Sequence, residues 1–375
     1  MPISEVKMAM PTFVPGLMLN QRYYESIVRP IIAQAFPTLS YAAALIGYGS
    51  DVLGYDTERS TDHEWGPRLL IFLNDVEFDT ISLAIDEQLR KRLPPTFMGY
   101  STAFSPKNHI GVRVSVEAVP GDVAHHIDFW TVRQFFTTTL GWQPTSPLNP
   151  ADWLSFSSQK LLEVTSGAVF HDGLGSLTAT RAELQYYPDD VWRYLLSVQW
   201  MRVSENDPFL GRCHELGDGI GERLVAARLV RDLVRLSFLI DRQYMPYSKW
   251  VGTAFTQLPI YPPLGSLLES VLEDEVWDRR QAALHQAYAI VIGQFNQLGL
   301  VKPFPTDVSP FYERPYAVIH AERIAEALWS TLMESPDRAL YEQLGFVGSV
   351  DQLSDNTDFL SHPQRTTAYR TLFHQ

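Results

Sequence analysis

The chain has 375 residues, 45% of them hydrophobic and 19% charged, with a formal net charge of −13. The length makes two domains the expectation, and the apolar content excludes a disordered chain. No run approaches the roughly 20 uninterrupted apolar residues of a membrane helix; the one cysteine, Cys213, excludes an internal disulfide framework or a cysteine-based zinc site. Acidity disfavours an extended nucleic-acid partner. The N-terminus lacks the basic-then-apolar pattern of a secretory signal, so a cytoplasmic location is expected.

Taken in chain order, residues 20–36 show helical spacing, and Tyr41–Ile46 reads as a short buried strand ended by Gly47-Tyr48-Gly49-Ser50. A second apolar run covers 68–73. Asp75 is the expected N-cap of the helix that follows, which stops at Pro94-Pro95. Residues 111–119 alternate as a half-buried strand, and His126–Trp130 as another, leading into a helix near 131–140. After Pro144, Pro147 and Pro150 come an amphipathic segment at 151–164, a strand at 167–170 and the loop Asp172-Gly173-Leu174-Gly175. Beyond 176, helical periods dominate at 180–203, 214–243, 265–298 and 316–345. The expected architecture is α+β: a mixed sheet flanked by helices over 1–175, then an all-helical domain over 176–375.

Three carboxylates carry the chemistry. If residues 61–65 are extended, Asp62 and Glu64 share one strand face while His63 takes the other. Asp128, between Ile127 and Phe129, is expected at the face of a central strand. Such oxygens hold one or two Mg²⁺ ions, which keep coordination positions for substrate phosphates, and a third carboxylate beside an acceptor hydroxyl serves as ligand or general base. At Gly49-Ser50 a glycine admits close phosphate approach, and the serine hydroxyl is a donor. An acid pair or a Gly-Ser alone is most often plain surface. The order of the three features is what favours a site.

Gly49-Ser50-Asp51-Val52-Leu53-Gly54 followed by Ser60-Thr61-Asp62-His63-Glu64 resembles the DNA polymerase beta type of nucleotidyltransferase, whose small members include antibiotic adenylyltransferases. The runs Asp62-His63-Glu64-Trp65-Gly66-Pro67, Tyr186-Tyr187-Pro188-Asp189-Asp190-Val191 and Tyr244-Met245-Pro246-Tyr247-Ser248-Lys249-Trp250 look like the branch called domain of unknown function 4037. The resemblance implies a nucleotidyltransferase-type sheet domain with Asp62, Glu64 and Asp128 as metal ligands and catalytic carboxylates. Gly49 and Ser50 then contact the triphosphate, and Lys249 of the helical domain reaches the phosphates across a cleft between the domains. It implies Mg²⁺, ATP or another nucleoside triphosphate, and transfer of the monophosphate to the hydroxyl of a small-molecule acceptor. The alternatives are a catalytically silent, antitoxin-like regulatory protein, or a modifier of a protein or tRNA end.

Other polar residues are expected to be structural. Asp51, Asp56 and Glu58 fall in the connecting loop as solvated acids, and Arg68 in a surface ion pair. Arg231 and Arg235 belong to a solvated helix face, and one of His125 and His126 comes near the site. The absence of a Gly-x-x-x-x-Gly-Lys-Ser/Thr loop disfavours a P-loop kinase or ATPase.

Overall fold

A computed structural model describes residues 12–109 and 111–373. The protein is α+β and divides into two compact units, one formed by residues up to 147 together with 160–185, the other by 148–159 together with 186–375.

The first unit is built on a four-stranded mixed sheet. Its strands are β1 (Ala42–Leu45), β2 (Arg68–Phe72), β3 (His126–Trp130) and β4 (Ala168–Asp172), in the spatial order β3-β2-β1-β4. β1 runs antiparallel to β2 and β4, while β2 and β3 are parallel, with Arg68 opposite His126 and Leu70 opposite Asp128. Ala42, Ala43 and Ala44 are fully buried, as a central strand covered on both faces requires. Alternation then sorts the side chains. Leu69, Ile71 and Ile127 join the core with Tyr23, Tyr24, Val28, Ile85 and Leu89, whereas Arg68, His126 and Asp128 share the opposite face. Because β1 is antiparallel to β2, the Gly47–Ser50 turn that leaves β1 arrives beside the first residues of β2 and β3. The fold thereby brings distant sequence motifs to one sheet edge.

Several expected elements take another form. Residues 61–65 are not a strand: Glu58–Asp62 is a 3₁₀ turn, and Glu64 has φ of 50°. The cause is local. Thr57 and Ser60 close a capping box, and Gly66 (φ of 135°) with Pro67 redirects the chain before it can pair. Asp75 does not cap the next helix, α1 (Phe78–Arg92), whose N-cap is Glu77; its carboxylate accepts from Arg133 instead. Of the alternating run 111–119 only Ser115–Val116 forms a ladder, against Ala103–Phe104, and Val114, Val116 and Val119 face solvent. Alternation without a covering layer gave no half-buried strand. Thr131 does cap the helix at Val132–Leu140, through a reciprocal box with Gln134.

The second unit is helical, with Asp189–Glu215 and Gly219–Ile240 as its longest helices. Each of the two following long helical periods splits where the chain turns, into Tyr261–Glu273 and Trp277–Gln297, and into Glu322–Leu332 and Arg338–Leu344. Pro208 lies inside the longest helix. The preceding Asp207 is buried, accepting from the Tyr288 hydroxyl and the Ile319 N–H, both at 2.9 Å. Arg235 is also buried rather than on a solvated face, and donates to the Asp351 carbonyl.

Candidate functional site

The turn after β1 is held by a buried ion pair. Arg68 donates through Nε to Asp51 Oδ2 (2.9 Å) and through Nη2 to Asp51 Oδ1 (2.7 Å) and the Tyr48 carbonyl (2.8 Å). The two residues are 4% and 1% exposed, so neither is the surface charge that its type predicts. Asp51 belongs to the short helix Ser50–Leu53, and Arg68 stands at the start of β2, where its backbone N–H donates to Asn20 Oδ1. Gly49, with φ of 128°, lies against this pair; a Cβ there would overlap Arg68 Nη2 and Asp51 Oδ1.

From the turn, Tyr48 extends to Glu64, donating its hydroxyl to Oε2 at 2.8 Å. The other oxygen, Oε1, accepts from the Arg113 backbone N–H, and the Glu64 N–H returns a bond to the Arg113 carbonyl at 2.9 Å. Arg113 then reaches Asp128, with Nη2 to Oδ1 at 3.2 Å. His126 Nε2 stands 3.7 Å from both Glu64 Oε2 and Asp128 Oδ2. Burial, followed by the charges of Arg68 and Arg113, lowers the His126 pKa to about 2. The imidazole is therefore neutral and leaves both carboxylates uncompensated by it.

The structure thus brings together Glu64 and Asp128, with Tyr48, Arg113 and His126 around them and the Gly49-Ser50 turn alongside. Asp62 is not in this group: its side chain is 66% exposed and paired with His63 Nδ1 at 2.9 Å. Lys249 lies in the helical unit, before Val251–Phe255, with its ammonium 4.9 Å from the centre of the Trp250 ring. The alternating run 111–119 was the available signal for Arg113, a basic residue between valines in the sequence. Tyr48 had none beyond its place in the turn.

Among the described residues, no group of three or more His, Cys, Asp or Glu is arranged to hold a metal ion. The donor set nonetheless fits Mg²⁺, which binds through one or two carboxylates and takes its remaining oxygens from water and substrate phosphates. Glu64 and Asp128 are such a pair, Glu64 accepting from Tyr48 and the Arg113 N–H and Asp128 from the Arg113 guanidinium.

Residues 153–251 match the model of a family described as a domain of unknown function, DUF4037. That segment contains Tyr186–Val191 and Tyr244–Trp250, whose resemblance to this family the sequence displays, and it excludes the carboxylates and the Gly49-Ser50 turn. No curated protein matches the chain. Among solved structures, the nucleotidyltransferase-like protein from Exiguobacterium sibiricum 255-15 is similar over 74% of this chain and 78% of that chain, at 14% identity and a TM-score of 0.30. The DUF4037 segment contributes β4 to the sheet unit and the helices Asp189–Glu215 and Gly219–Ile240 to the other.

Proposed function

We propose that the protein is a nucleotidyltransferase that moves a nucleoside monophosphate, AMP in the simplest case, from a triphosphate to the hydroxyl of a small-molecule acceptor. The observation that carries this reading is the convergence of Glu64 and Asp128 on one side of the neutral His126, next to a glycine turn that a buried ion pair holds rigid. Two carboxylates beside a turn that opens at a glycine suit metal-assisted transfer of a phosphate-bearing group.

Mg²⁺ held by Glu64 and Asp128 would supply charge neutralisation for the phosphates, and Asp62 would join as a third ligand only by leaving His63. The chain's own groups do the rest. Asp128 takes the proton of the acceptor hydroxyl as its oxygen bonds to the α-phosphorus. The bond from the α-phosphorus to its bridging oxygen breaks, and pyrophosphate leaves. Arg113, as a guanidinium, offers paired donors to a phosphate oxygen once it turns from Asp128. Gly49 and Ser50 seat the triphosphate, and Tyr48 keeps the Glu64 carboxylate aimed.

The test is product analysis with α-labelled ATP, Mg²⁺ and a small-molecule extract of bacterial cells. Labelled acceptor with equimolar pyrophosphate, lost in Asp128→Asn, is the expected result. Release of phosphate and ADP instead would assign a different transfer and refute this one.

A further inference from the structure

Beside the loop that carries Glu64, the sheet unit has a cavity of about 210 Å³, open to solvent and lined in part by Phe13, Trp65, Tyr100, Glu58, Gly66 and Gly99. We infer that it binds the ring of a small organic amine that also bears a hydroxyl, the acceptor in the proposed transfer, an assignment that rests on that reading. The volume is ample, since an apolar cavity of about 150 Å³ accommodates a benzene ring.

The lining combines two features that together select an amine. One is aromatic and fixed: Phe13 and Trp65 stack with ring centres 5.8 Å apart, and Tyr100 meets Trp65 edge-on at 4.9 Å. Trp65 is 3% exposed, and its Nε1 donates to Asp56 Oδ2 at 2.9 Å, so it anchors the partly exposed Phe13 and Tyr100 rings, which do not have to be ordered on binding. Gly66 and Gly99 add backbone to the lining. The other feature is Glu58, an exposed carboxylate with no Lys, Arg or His paired to it among the described residues. Aromatic faces and a free carboxylate both attract an ammonium group and oppose an acid.

The cavity shares two stretches of chain with the carboxylate site. Trp65 directly follows Glu64, and Ser115, which also lines the cavity, lies two residues beyond Arg113, whose backbone is bonded to Glu64. An acceptor seated here lies along the same two stretches of chain that carry the carboxylate and the guanidinium.

The experiment titrates the full chain with 2-phenylethylamine and with 3-phenylpropanoate, a carboxylate of similar size, by ligand-detected NMR, with ATP binding measured on the same samples. The amine is expected to bind at least tenfold more tightly. Glu58→Gln, at an exposed position, is expected to bring the two within about threefold, and Tyr100→Ala to weaken both. Equal binding of the two compounds by wild type, or an unchanged ratio in Glu58→Gln, would overturn the assignment even if ATP binds. Selective amine binding without ATP binding would support the cavity and refute nucleotidyl transfer.

Discussion

Asp51 and Arg68 show how two charged residues become structural. Each was expected at the surface because of its type, yet the pair is enclosed beneath the Gly49 turn. Removing one partner leaves an uncompensated buried charge, a loss of about 3–5 kcal/mol, whereas replacing both by apolar groups costs much less. Arg68→Met and Asp51→Leu are therefore expected to destabilise strongly alone, and the double variant less than either. Urea unfolding midpoints of the three check this, and additive losses would contradict it.

Asp207 is a second enclosed acid, and burial raises its pKa from 3.8 to about 6, against the bonds from Ile319 and Tyr288 that lower it. Its folded-state pKa lies above the unfolded one, so the native state holds the proton more tightly. The stabilisation is fully present below about pH 4 and is lost as pH rises through 6, a swing of about 3 kcal/mol. Wild type minus Asp207→Asn unfolding free energies, measured from pH 4 to 7, should fall over that window. A flat difference would show that Asp207 titrates normally.

At the scale of elements, the loop from 57 to 67 decides where Glu64 points. Gly66 has φ of 135°, and a Cβ there would lie 3.0 Å from Phe104 Cζ. Gly66→Ala is thus expected to cost on the order of 1–3 kcal/mol and to weaken triphosphate binding by shifting Glu64. Unchanged stability would mean that the loop tolerates another course. This loop also marks the limit of what the sequence revealed. β1 and β2 were legible because continuous apolar runs admit few other fates, and the face of Asp128 because its neighbours Ile127 and Phe129 fixed it, but its strand β3 is an edge strand and not the central one expected. Asp62 and Glu64 were misplaced as strand partners because a two-residue spacing says nothing about the Thr57–Ser60 turn before it or the glycine after it. The pairing of Asp51 with Arg68, 17 residues apart, depends on the sheet and has no local signature.

For the whole molecule, the formal net charge of −13 opposes a free triphosphate, so the anion needs local compensation. Arg113 is one such charge at the site, and a bound Mg²⁺ would be the other. The DUF4037 match falls on 153–251, away from the carboxylates, so the catalytic reading stands on the sheet unit's own geometry. Calorimetric titration of ATP with and without Mg²⁺, on wild type and on a Glu64→Gln/Asp128→Asn variant, tests it most directly. The account predicts Mg²⁺-dependent binding by wild type that the variant loses at least tenfold. Absence of binding by wild type, or equal binding by the variant, would contradict it.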